Sequence, residues 1–202
     1  MGYRVWQQKA QDAQAEQELA AAGCGRLLSR VLVSRGCRTP EQARALLDET
    51  APLSDPYLIK DMDKAVERLR RALAEEEPIV IYGDYDVDGV SATALLYEYL
   101  TNLGAQVRCK LPLRTEGGYG LNRTALKKLA DKGFKLIVTV DNGIAAVEEA
   151  AYAKELGIDL VITDHHLPSG ELPEAVAVVD PNRPDDESPF KFLCGAGVAF
   201  KL

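Results

Sequence analysis

Pro78-Ile79-Val80-Ile81-Tyr82-Gly83-Asp84-Tyr85-Asp86-Val87-Asp88-Gly89 is the stretch on which the reading of this chain turns. Its first five residues form a short apolar run that reads as a buried strand. Its last six set three aspartates at alternate positions in a loop, and Gly89 lets the backbone turn sharply into the helix that follows. Two later runs end in the same way. Leu136–Val140 leads into Asp141-Asn142-Gly143, and Asp159–Thr163 leads into Asp164-His165-His166, which holds the only 2 histidines of the chain. Carboxylates gathered together repel one another unless a cation lies between them. Three strand ends carrying aspartates and imidazoles therefore predict a shared pocket for hard and borderline metal ions.

Outward from this stretch, strands and helices alternate. After Ile79–Tyr82 the pattern predicts a helix over 89–103, a strand over 106–111, a helix over 122–132, the strand 136–140, a helix over 144–156, the strand 159–163 and a strand over 175–179. Such a βαβα series implies an α/β fold, a mainly parallel sheet with helices on both faces. In open sheets of this class the ligand site lies beyond the carboxyl ends of the strands, where all three acidic signatures fall. Upstream, the chain reads as helical. Ala10 to Ala22 is rich in Ala, Gln and Glu and is ended by Gly23. Thr39-Pro40-Glu41-Gln42 has the form of a capping box with proline at the first helical position, opening a helix to about Leu47. Ala51–Pro56 reads as a linker, so a short N-terminal helical segment (1–54) precedes a domain over 55–202. A longer amphipathic helix is expected over 61–76, with Met62, Val66, Leu69 and Leu73 on one face.

The 202 residues suffice for one substantial domain with an appendage. Hydrophobic content of 47% and charged content of 27% are those of a soluble globular protein. No apolar stretch approaches membrane-spanning length and the start has no hydrophobic signal region, so a cytoplasmic protein is expected. Cys24, Cys37, Cys109 and Cys194 form no C-x-x-C pair, which favours reduced, mostly packed thiols over a zinc finger. The formal charge of −7 counts weakly against a nucleic-acid partner. Several of those charges belong to the proposed metal pocket, however, so global charge does not decide the substrate.

Other readings of the first signature fail on chemistry. An EF-hand loop also begins D-x-D-x-D-G but needs a bidentate Glu at its twelfth position, which here is Leu95. An aspartyl-phosphate phosphatase would use one carboxylate as nucleophile and leave the paired histidines without a role. Asp141 near a helix N-terminus suits a bridging carboxylate whose two oxygens reach two ions; Asn142 reads as an ordinary helix N-cap. Adjacent residues at a strand end point in different directions, so His165 is assigned as a metal ligand. His166 is assigned to the substrate side, as a phosphate contact or proton donor. Asp164 would orient a ligand from behind rather than bind metal. A carboxylate and imidazole set without thiolate suits two Mn²⁺ or Mg²⁺ ions, with Zn²⁺ and Co²⁺ also compatible. Two such ions would polarise a phosphodiester, supply hydroxide at neutral pH and stabilise the leaving oxygen.

In order, GDYDVDG, VTVDNGI and TDHH resemble the DHH phosphoesterase superfamily. Pro112-Leu113-Arg114, Gly118-Tyr119-Gly120-Leu121, His166-Leu167-Pro168 and Leu193-Cys194-Gly195-Ala196-Gly197-Val198-Ala199-Phe200 extend the resemblance to its RecJ branch, over roughly residues 50–202. The resemblance implies metal-dependent 5′→3′ exonuclease activity on single-stranded DNA, releasing 5′-mononucleotides in recombination and repair. It also implies a single-strand-binding protein and a helicase as partners. It maps Asp86, Asp88, Asp141 and His165 to metal ligands, with Asp84 in the same acidic shell. Arg114 maps to a substrate-loop arginine suited to bidentate capture of a terminal phosphate. Tyr119 could stack a base or pack the loop between two glycines. The family's fourth metal motif lies downstream of the Gly-x-Gly-Val-Ala helix, within which this chain stops. The resemblance thus implies an amino-terminal piece of a longer nuclease, truncated at its C-terminal end and weakly active or inactive alone. Asp180 is expected to be a turn residue. Two rival functions remain: a phosphodiesterase for short oligonucleotides or cyclic dinucleotides, and a non-catalytic DHH scaffold, for which the retained acidic cluster has no use.

Overall fold

The computed structural model describes residues 12–48, 52–112 and 120–202. They divide between Leu53 and Ser54 into two compact units. In the first unit, Asp12 caps α1 (Ala13–Leu19) by accepting the Ala15 N–H. A kinked turn over Ala20–Cys24 follows, and Gly23, at φ +99°, stops the helix there. α2 spans Arg26–Ser34. Thr39 and Gln42 form the expected capping box at the start of α3 (Pro40–Leu47). Leu19, Leu32, Val33 and Ala43 bury a small core among the three helices.

The second unit is built on five parallel strands in the order β2-β1-β3-β4-β5: β1 Ile79–Tyr82, β2 Val107–Lys110, β3 Leu136–Val140, β4 Asp159–Thr163 and β5 Ala177–Val179. The side chains of β1 and β3 are buried without exception, because the sheet is covered on both sides. Alternation along each strand sorts them between two cores. Ile79, Ile81, Val138, Val161 and Val179 pack with α4 (Met62–Ala74), α5 (Val87–Asn102) and α8 (Gly195–Lys201). Val80, Tyr82, Ile137, Leu160 and Ile162 pack on the other face, where Leu126 of α6 (Arg123–Asp131) and Ala150 and Ala153 of α7 (Val147–Glu155) lie.

Three helices depart from the sequence pattern; α5 begins at Val87 rather than Gly89. α4 buries Met62, Ala65, Arg68, Leu69 and Ala72, so the inward stripe is rotated from the one that the apolar residues alone suggest. The Arg68 guanidinium is held by Asp159 at 2.6 Å and Glu77 at 2.8 Å, and this pairing brings a cation into the packed face. α7 begins at Val147 rather than Ile144, since Gly143 at φ +116° and a turn closed by Ala146 N–H to Gly143 C=O intervene.

Strand register places the site. Tyr82 stands level with Thr139, and Val140 with Thr163, which is level with Val179. The loops after β1, β3, β4 and β5 therefore leave the sheet side by side. The chain goes from β1 outward to β2 and then returns across β1 to β3, so β1 and β3 flank the point at which strand order reverses. Loops diverge there and leave a crevice.

Candidate metal centre

Asp84 follows β1 and is 2% exposed, while Asp86 is the N-cap of α5 and accepts the Gly89 N–H at 3.0 Å. α5 thus starts at Val87, two residues before the expected Gly89, and Asp88 lies in its first turn. Gly89 has a steric reason beyond turning: a Cβ there would sit 2.6 Å from the Cβ of Asp84. From β3, Asp141 extends the ladder by one more bond, donating its N–H to Thr163 C=O at 3.0 Å. It then turns at φ +62°, and its carboxylate is buried. From β4 come His165 and His166, with Asp164 almost wholly buried behind them.

Among the described residues, two groups could hold a metal ion: Asp84, Asp86 and Asp141, and Asp141, His165 and His166. Within each group the ligand atoms lie no more than 4.8 Å apart, and Asp141 belongs to both. His165 Nε2 is 3.1 Å from Asp141 Oδ1 and 3.5 Å from Asp88 Oδ2. Asp88 is in neither group; its oxygens accept the N–H groups of Gly195 at 2.7 Å and Ala196 at 2.8 Å. Each carboxylate oxygen has a second lone pair with which to meet a cation. Arg114 and Tyr119 lie outside the described residues.

The electrostatics suit a cation. Burial pushes the Asp141 carboxyl up to about 7, and the charges of Asp88 and Asp86 push the same way, with His166 opposing. Asp88 goes the other way. Burial would raise it, but N–H donation from Ala196 and Gly195 and the charge of His165 hold it below the usual carboxylate value. A divalent ion beside Asp141 would offset both the burial and the repulsion that raise its pKa. Hard carboxylates with two imidazoles are a donor set that fits Mn²⁺ or Mg²⁺.

Asp164 organises the histidines. It accepts the Ile144 N–H at 2.9 Å, the His165 N–H at 2.7 Å and the His166 N–H at 3.2 Å, and it lies 2.7 Å from His166 Nδ1. With an ionised Asp164, the proton of the neutral ring resides on Nδ1 and Nε2 is its basic nitrogen. Burial alone would lower the His166 pKa, but the hydrogen bond and charge of Asp164, aided by Asp141 and Asp180, raise it.

Three features escaped the sequence. Asn142 does not cap α7: it is buried, and its Nδ2 donates to Tyr82 C=O at 3.1 Å and Val140 C=O at 2.9 Å, tying the ends of β1 and β3 together. Asp141 lies against the start of α8 rather than α7, for a Cβ on Gly195 would meet its Oδ1 at 2.4 Å. Asp180 is the expected turn residue, accepting the Asn182 N–H at 2.7 Å, but it is also fully buried. Burial, with the charge of Asp164, pushes its pKa up to about 6 against that hydrogen bond. Its place just beyond Val179 at the end of β5 was the available signal, the same one that marks the other three aspartate sites.

Comparison with known proteins agrees with this fold. The family model "DHH family, N-terminal domain" matches residues 78–202. The single-stranded-DNA-specific exonuclease RecJ of Bacillus subtilis (strain 168) is 49% identical over 177 residues, 87% of this chain. The chain spans only 22% of that relative's length. A crystal structure of exonuclease RecJ bound to manganese superposes with a TM-score of 0.66 at 35% identity, covering 74% of this chain and 38% of that one. RecJ from Thermus thermophilus in complex with Mn²⁺ gives a TM-score of 0.66 at 30% identity, with 94% and 26% covered.

Proposed function

The chain belongs to the DHH family, and on that premise we propose that its second unit is the metal-binding part of a single-strand-specific DNA exonuclease. The carrying observation is the double use of Asp141, whose carboxylate lies within ligand distance of two separate donor groups. That arrangement supports a pair of ions bridged by one aspartate. Asp84, Asp86, Asp141 and His165 would hold them, joined by Asp88, whose Oδ2 is 3.5 Å from His165 Nε2; His166, the third member of the second group, is assigned to the substrate side. Divalent ions bound there would supply polarisation of a phosphodiester and a hydroxide at neutral pH.

The chain's own residues do the rest. Asp164 fixes the His166 ring by its Nδ1, so that Nε2 can hold or deliver a proton at a phosphate oxygen. Asn142 keeps the ends of β1 and β3 at a fixed spacing, and with them the two acidic signatures. Arg114 would grip a terminal phosphate and Tyr119 would stack a base. The names of the relatives support single-stranded DNA as substrate; 5′→3′ polarity, the mononucleotide product, the role in repair and recombination, a single-strand-binding protein and helicase as partners, and a cytoplasmic location belong to the same proposal. No helix among the described residues is long and apolar enough to cross a membrane.

Calorimetric titration with Mn²⁺ should give two ions per chain, and Asp141→Ala should remove both. A polypeptide extended beyond Leu202 should degrade a single-stranded oligonucleotide labelled at its 3′ end from the unlabelled end. Binding of one ion untouched by Asp141→Ala would overturn the bridged-pair reading.

A further inference from the structure

His165 stands just past the end of β4, where the sheet no longer satisfies its backbone. Both of its main-chain polar groups are taken by side chains instead. Its N–H donates to Asp164 Oδ1 at 2.7 Å, and its C=O accepts from Asn182 Nδ2 at 2.5 Å. Asn182 is in turn fixed from two directions. Its own N–H is bound by Asp180, and that turn follows β5, whose Val179 C=O accepts the Asp164 N–H at 3.1 Å. The loop after β5 thus reaches back and grips the peptide that carries the imidazole.

We infer that Asn182 is a positioning residue for His165, setting the backbone orientation that delivers Nε2 to within 3.1 Å of Asp141 Oδ1. This rests on the metal-centre reading only insofar as His165 is taken for a ligand. Backbone φ and ψ at His165 decide where its ring points. The Asp164 bond restrains one side of the residue, but without Asn182 the carbonyl side is free to rotate toward water. Residues that orient a ligand from behind typically change metal affinity by about 10- to 100-fold when removed. A backbone clamp of this kind belongs at the lower end of that range.

The chain's 2 histidines make the test direct, since each ring gives its own imidazole signals in an NMR spectrum. In metal-free protein, Asn182→Ala and the isosteric Asn182→Asp should shift the His165 ring signals and leave those of His166 in place. Calorimetric Mn²⁺ affinity should fall about tenfold in both variants. Unchanged His165 signals and unchanged affinity would overturn the inference. So would equal shifts of both rings with a lowered melting temperature, since that pattern means general loosening. If the unsubstituted protein binds no Mn²⁺, the metal-centre reading falls while the ring signals still decide the positioning role. Should both variants fail to fold, the unsubstituted protein decides. A scalar coupling across the hydrogen bond from Asn182 Nδ2 to the His165 carbonyl carbon supports the clamp, and an uncoupled, freely exchanging amide refutes it.

Discussion

Asp141 is a carboxylate set where its own charge is unwelcome, 1% exposed and facing Asp86 and Asp88. With its pKa near 7, and Asp180 near 6, the native chain holds protons that the unfolded chain has already released near 3.8. Between about pH 4 and 7 the folded state therefore binds more protons, and metal-free stability falls as pH rises. His166, raised above its usual value, acts in the same direction near neutrality. Urea unfolding in chelator at pH 5 and pH 7.5 should show a loss of at least about 1.4 kcal/mol at the higher pH, the worth of one pKa unit. Asp141→Asn should abolish most of that slope and be more stable than the parent at pH 7.5 without metal. Metal binding has the opposite dependence. An ion at Asp141 must displace a proton below pH 7, so Mn²⁺ affinity should drop about tenfold per pH unit there. The sequence marked the clustered aspartates and His165 as candidate ligands and His166 as a substrate-side group. Protonation was not, since it follows from burial and from charges brought close by separate loops.

At the scale of elements, α8 and the acidic loop depend on each other. The first amides of a helix have no partner within it. Here Asp88, more than a hundred residues earlier in the chain, accepts those of Gly195 and Ala196. Asp88→Ala should cost about 1–2 kcal/mol, the usual worth of a lost cap, and should speed exchange of those two amides. Asp88→Asn, which keeps one acceptor oxygen, should fall between. Gly195→Ala would ordinarily favour the helix by about 1 kcal/mol. In this place its methyl would meet Asp141 at 2.4 Å, so the net effect should be destabilising and Mn²⁺ binding should weaken. A Gly-x-Gly run at a helix start is readable in sequence, but not the carboxylate it must clear. The start of α7 and the inward stripe of α4 differ from the sequence pattern for a like reason: a local turn and the Arg68 ion pairs outweigh apolar spacing.

Across the whole second unit, the parallel sheet lines up four strand ends and the reversal of strand order opens the crevice between β1 and β3. An ion that binds only the folded state stabilises it by mass action, by about 2.7 kcal/mol at a hundred times its dissociation constant. Mn²⁺ at that excess should raise the urea midpoint accordingly; chelator should reverse the gain, and Asp141→Asn should remove it. The sequence alone determined the order of strands and helices from β1 to β5, the parallel sheet and the aspartates and histidines that meet at its carboxyl edge, because these depend on short-range periodicity and residue chemistry. Only the tertiary structure decided that Asp88 caps α8, and that Asp180 is buried with Asn182 clamped on His165. Each of these is a contact between loops far apart in the chain, fixed by strand register and packing, which no local pattern encodes.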